Sequence, residues 1–211
     1  FHEHPYRWST IGKIPHLRAA HVRELREFWT RYYVPSNATL VIVGAVKHDE
    51  AQQLARRYFE WIPAYPEPPR ITVREPLPSE SRTVQLKEDN APAPVVAAVY
   101  HTVPAAHEDA VVLELLASIL GGGDSSRLYR ELVAERQLAV GTMSFSFATE
   151  QAGLFVLGAA MSPLGADAKE VMATFGKHIK RLRDEAVAER ELLKARNQML
   201  SELVTQILTV N

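Results

Sequence analysis

The chain has 211 residues, 46% of them apolar and 23% charged, the balance of an ordinary globular protein with material for one large domain or two small ones. Lys and Arg number 24 against 25 Asp and Glu, a net charge of −1, which argues against a nucleic-acid or anionic-membrane surface because either needs a one-signed basic face. There is no cysteine, which excludes disulfides, thiolate catalysis and Cys-based zinc sites, and no apolar run approaches the roughly 20 residues of a membrane span.

The opening Phe1-His2-Glu3-His4-Pro5 has no initiator Met and no signal peptide, and it reads as a trimmed or processed start. Pro5, Gly12 and Pro15 punctuate an irregular entry over 1–16. Val22, Leu25, Phe28, Trp29 and Tyr32 recur at helical spacing and predict a helix over 18–33, stopped before Pro35. The run ATLVIVGAV, 38–46, is short, apolar and β-branched, as a buried strand is. Asp49 is a candidate N-cap for a helix whose apolar stripe is Ala51, Leu54, Ala55, Tyr58 and Ile62. Pro63, Pro66, Pro68, Pro69, Pro76 and Pro78, six of the 13 prolines, then mark a stiff extended stretch. This composition break divides the chain into 1–66, a linker at 67–81, and 82–211.

Past the linker, Thr83–Lys87 and Pro94–Val103 have strand character. His107–Leu120 is apolar enough all round for a buried helix. Gly121-Gly122-Gly123 ends it, and Asp124 or Ser125 is the expected cap of another helix reaching Arg136. Met143, Phe145 and Phe147 alternate with Thr142, Ser144 and Ser146. That period of two predicts a strand with one buried face and one polar face. GLFVLGAAMS follows at a hairpin's distance. Two helices close the chain near 166–185 and 188–208, with stripes Val171, Phe175, Ile179, Leu182 and Leu192, Met199, Leu203, Ile207. The last of these has no clear stop, its apolar face needs a partner, and the C-terminus also reads as a cut. The fold class is α+β, an antiparallel-rich sheet with helices packed on it.

Chemistry is thin. Eight histidines invite a metal hypothesis, but the nearest approach to a zinc-protease helix, His21-Val22-Arg23-Glu24-Leu25, has Leu25 where the second His belongs. His2 and His4 read as residues of a mobile terminus. His48, His101, His107 and His178 have no useful acidic or His neighbour along a helix and read as surface or boundary residues. Gly121-Gly122-Gly123-Asp124-Ser125-Ser126-Arg127 lacks the Gly-Lys-Ser/Thr ending of a phosphate loop and follows a helix. It is either a helix C-cap running into an N-cap or a flexible loop that lets backbone approach a ligand. Neither Ser125 nor Ser126 has an assignable base, so nucleophilic catalysis has no support. The basic stretch Lys177–Arg183 is followed by Asp184, Glu185, Glu189 and Glu191 and reads as a solvated face of mixed charge.

Four segments in order, HPYRWSTIG, FWTRYYVPSNATLVIVGAV, LASILGGGDSSRLYRELVAERQLAVG and ERELLKARNQML, carry a resemblance to the pitrilysin/insulinase family of zinc metallopeptidases, in its processing-peptidase-like bacterial branch. The resemblance implies a partial two-lobed architecture: the end of a first peptidase-like lobe in 1–66, then most of a second, non-catalytic lobe in 82–211. The family's zinc motif, an inverted His-x-x-Glu-His plus a further Glu, lies upstream of the HPY segment, so no residue here is implied as a metal ligand or catalytic group. The Arg and Tyr that many members place after the glycine-rich loop fall on Val133 and Val140, which donate no side-chain hydrogen bond.

The resemblance therefore implies a segment of a zinc metalloendopeptidase subunit that cleaves peptides or unfolded polypeptides in a closed chamber. Zinc belongs to the parent protein, and no cofactor to this chain. A homologous partner subunit would carry the Arg/Tyr pair, and Gly121, Gly122 and Gly123 would be the substrate contact. A parent serving as a non-catalytic scaffold or processing partner is the other reading. The compartment stays open between bacterial periplasm and cytoplasm, with a lean to the periplasm.

Overall fold

The computed structural model describes residues 1–163 and 166–208, and the chain divides into two compact units, Phe1–Pro76 and Leu77–Asn211. The division falls inside the proline-rich stretch.

The first unit is helical: α1 (Ile14–Ala19), α2 (Val22–Tyr32) and α3 (His48–Phe59). The helix expected over 18–33 is broken at Ala20-His21. The broken end is repaired locally, as the His21 backbone N–H donates to Glu24 Oε2 at 2.9 Å, a side chain reaching back to satisfy an orphan donor. The expected strand at 38–46 forms no ladder, and neither does Thr83–Lys87. A strand exists only by pairing, and all three paired strands of the described residues lie in the second unit beyond both segments. The entry segment is held by Glu75, whose carboxylate accepts from the backbone N–H groups of His2, Glu3 (2.9 Å) and His4 (2.8 Å). Desolvation acts to raise this carboxyl, and the three donors outweigh it and hold it at about 2.

The second unit holds β1 (Val95–Thr102), α4 (Asp109–Gly121), a π-helix (Tyr129–Glu135), β2 (Ala139–Ala148), β3 (Gly153–Met161), α5 (Ala168–Asp184) and α6 (Glu189–Leu208). The strands form one antiparallel sheet in the order β1-β3-β2. The register opposes Ala98 and Ser144 to Leu157, and Val99 and Phe145 to Val156. Helices cover one face of this sheet. There Phe155, Leu157 and Ala159 meet Leu120, Leu128, Leu132, Val171 and Phe175, a contiguous dry core that supplies most of the unit's hydrophobic stabilisation.

β2 reverses the expected burial. Its helix-covered residues are Thr142, Ser144 and Ser146, while Met143, Phe145 and Phe147 stand on the uncovered face. The reason is closeness of approach. A Cβ on Gly121 at the end of α4 would lie 2.6 Å from the Ser144 Cβ and backbone N, so no aromatic ring fits under that helix. The cost is that the Thr142, Ser144 and Ser146 hydroxyls are buried without hydrogen-bond partners among the described residues.

Candidate functional site

The glycine-rich loop grows out of α4. The Gly122 N–H donates to the Ser118 carbonyl at 2.9 Å, and a Cβ on Gly122 would come within 2.5 Å of that oxygen. Gly123 has φ +81° with no atom within 4 Å of where its Cβ would be. It takes a left-handed turn that glycine makes without strain and leaves backbone open to the surroundings.

The far side of the loop is clamped to α6. The Arg127 guanidinium donates twice to Glu191, at 2.9 and 2.6 Å, and Lys194 donates to the Ser125 hydroxyl. The hydrogen bond to Glu191 pushes the Arg127 guanidinium up, and the same bond pulls the Glu191 carboxyl below its usual range, so both stay charged. Ser125 thus has a lysine neighbour that the sequence did not reveal, but the contact lies at the exposed surface, and no third group orients the lysine as a base would need. Ser126 is buried with its hydroxyl unpartnered. Neither Asp124 nor Ser125 caps the next helix, which has no side-chain cap and winds as a π-helix.

That π-helix closes on an i→i+5 bond, Arg136 N–H to the Glu131 carbonyl at 3.0 Å. Leu132 is fully buried, Val133 packs half-buried against the same core, and Val140 stands 58% exposed beside a β-bulge between Ala139 and Gly141. Val133 therefore presents a methyl pair at the core edge and Val140 a bare methyl pair at the surface.

Beneath the π-helix lies a polar cluster that sequence reading missed. His178, expected at the surface, is 3% exposed. Its Nε2 is 2.9 Å from Glu131 Oε2, and its buried Nδ1 has no partner. The signal was present, because 178 follows Val171 and Phe175 on the helical stripe. Lys177, expected to be solvated, donates to both Glu131 oxygens at 2.9 Å. Arg136 reaches Thr174 and Glu170 on α5. Burial pushes the His178 imidazole down, against the pull of Glu131. Burial also raises the Glu131 carboxyl, but Lys177 and His178 hold it below the usual carboxylate range.

The remaining histidines do local structural work. His4 is buried rather than mobile, its Nδ1 accepting from the Tyr6 N–H at 3.1 Å. His107 Nδ1 accepts from the Asp109 N–H at the start of α4. His48 opens α3 and His101 lies on β1. Among the described residues no three His, Asp or Glu side chains gather as metal ligands would.

Two surfaces remain. One is the bare face of the sheet, where Val95, Val99, Met143, Phe145 and Phe147 are all exposed, with Phe145 at 45% and Phe147 at 58%. The other is a groove of about 810 Å³ between α4, Gly122 and Gly123, residues 144–146 of β2, and α6.

Residues 21–199 match the family described as the peptidase M16 inactive domain. The zinc protease PqqE of Helicobacter pylori is 28% identical over 209 residues, covering 97% of this chain and 46% of its own length. The β subunit of the mitochondrial-processing peptidase of Saccharomyces cerevisiae is 23% identical over 218 residues, covering 98% of the chain and 47% of its own. The crystal structure of a protease from Helicobacter pylori superposes with a TM-score of 0.87 at 25% identity, covering 99% of this chain and 51% of that one. The chain spans about half the length of the curated relatives it matches. With its four ordered motifs, its α+β fold and this match in hand, the chain belongs to the pitrilysin-like M16 peptidase family, within its inactive domain.

Proposed function

We propose that the chain is the non-catalytic portion of a zinc metalloendopeptidase subunit that cleaves peptides or unfolded polypeptides inside a closed chamber, and that its bare sheet face is chamber wall. The observation that carries this reading is the contiguous uncovered face of Val95, Val99, Met143, Phe145 and Phe147, on a chain whose curated relatives include zinc proteases. An exposed apolar patch of this kind marks a binding surface. Gly121, Gly122 and Gly123 stand at one end of the helix-covered side and supply backbone contact to substrate. Zinc and its activated water belong to the parent's other lobe. Val133 and Val140 offer no donor to a developing oxyanion, so a homologous partner subunit supplies that pair.

The test uses the parent protein with its partner. Phe145→Asp and Phe147→Asp are expected to lower kcat/KM on an unfolded polypeptide about tenfold or more, on the cost of placing charge in an apolar contact, with zinc content unchanged. This chain alone is expected to leave a quenched fluorescent peptide intact with or without added zinc. A parent free of zinc and inactive with every partner would instead make the chain part of a scaffold subunit.

A further inference from the structure

The π-helix Tyr129–Glu135 is a costly winding. Such helices are rare, are mostly single turns, and cluster at functional sites. This one widens as it proceeds. The Arg130 N–H donates to the Ser126 carbonyl four residues back, the Arg136 N–H to Glu131 five back, and the Leu138 N–H to Leu132 six back at 2.8 Å. The turn ends on Gln137 at φ +53°, a left-handed conformation that is unfavourable for a residue with a Cβ. Wide winding and a strained end need compensation from outside the segment.

The compensation comes from α5. Glu131 accepts twice from Lys177 and lies 2.9 Å from His178 Nε2, while Arg136, just past the π-helix, donates to Thr174 and Glu170. An ionised carboxylate only accepts, so Nε2 carries the proton. The neutral ring therefore has a bare lone pair at the buried Nδ1, which has no partner among the described residues. Protonation turns that lone pair into a donor with nothing to receive it. It also adds a cation where Lys177 and Arg127 already act on the ring and Arg136 lies 3.9 Å from Glu131. The sheet beneath α5 offers no carboxylate: β3 has no titratable side chain, Tyr100 of β1 lies beside Ile179 and Leu182, and His101 points to the other face. We infer that the π-helix is one state of an acid-sensitive switch, in which protonation drives the His178 ring from its buried site beside Glu131 and residues 131–138 leave the wide winding. The link between the glycine loop and β2 then shifts. Relaxation to α winding removes one residue from the turn, so the chain beyond Glu131 rotates by about 100° and Arg136 is carried off Thr174 and Glu170. The switch goes beyond the proposed function and does not rest on it, because a parent without peptidase activity would carry the same cluster.

The test is amide hydrogen exchange on this chain, corrected for the intrinsic effect of pH. The Arg136 and Leu138 amides report the wide winding. Between pH 7.5 and 5.0 their protection is expected to fall at least fivefold, within the limit of roughly 30-fold set by an exposed imidazole of pKa about 6.5. That protection should be insensitive to low urea, since a local opening exposes little surface, whereas β3 amides should respond steeply. His178→Gln keeps a donor toward Glu131 and should hold the protection of Arg136 and Leu138 within twofold across the same pH range. In the unaltered chain, nitrogen NMR of the imidazole at pH 7.5 should show the Nε2–H tautomer. An Nδ1–H tautomer, no fall in protection, or an equal fall in His178→Gln overturns the inference. So does a urea response as steep as that of β3, which would make the loss global unfolding.

Discussion

The two units of the chain contain similarly apolar stretches and do opposite things with them. In the second, Phe175, Leu120, Leu128, Leu132, Leu157 and Val171 are essentially sealed from water. In the first, Leu25, Phe28 and Trp29 recur at clean helical spacing yet remain exposed, and His4 and Val34 are the residues it buries. The difference is long-range pairing. The second unit has a sheet for α4 and α5 to pack on, whereas the first has helices and an apolar run at 38–46 with no ladder to join. An amphipathic stripe says which face seeks burial, and it does not supply the surface that buries it.

Substitutions can break this contrast. Phe175→Ala, in the dry core, should cost about 3–5 kcal/mol in a urea titration, through lost transfer energy and a cavity. Gly121→Ala should cost about 1–3 kcal/mol, because the new methyl meets backbone at Ser144 and α4 must move off the sheet; an unchanged midpoint would refute that close contact. Arg127→Ala should cost about 1–2 kcal/mol, the value of charged hydrogen bonds discounted for the part-exposed Glu191, with faster exchange in the glycine loop as its local sign. In the first unit, Phe28→Ala should stay within about 0.5 kcal/mol, as surface substitutions do.

Acid sharpens the same comparison. The His178 imidazole is depressed in the fold, so below about pH 6.5, its unfolded value, the unfolded chain binds the extra proton and the second unit loses stability as pH falls toward the folded value. Glu131, also depressed, contributes stability above its unfolded value that is lost as pH falls through its folded one. His178→Gln keeps a donor for Glu131 and removes the first loss, so urea midpoints at pH 7.5 and 5.5 should converge in that variant.

Much of the second unit was legible from its residues. The alternation at 142–147, the hairpin, the all-apolar α4 and the stripe of α5 all stand where spacing put them. The face of β2 was not legible, because period two fixes that alternate residues part company and not which set meets the helices. Gly121 decided it, by allowing an approach at Ser144 that leaves room only for small side chains. His178 was partly legible. It sits on the stripe of Val171 and Phe175, but its partner Glu131 is 47 positions away, a pairing that no local pattern reveals. The apolar run at 38–46 has the residues of a strand and no ladder, because pairing is a property of two segments.

The sequence by itself determined the class of this protein. Four ordered motifs reach the family without any fold. Tertiary structure alone decided which faces are bare. A free strand edge, a groove beside it and an aromatic row above it arise from distant segments brought together, and periodicity along one strand contains no information about what lies across from it.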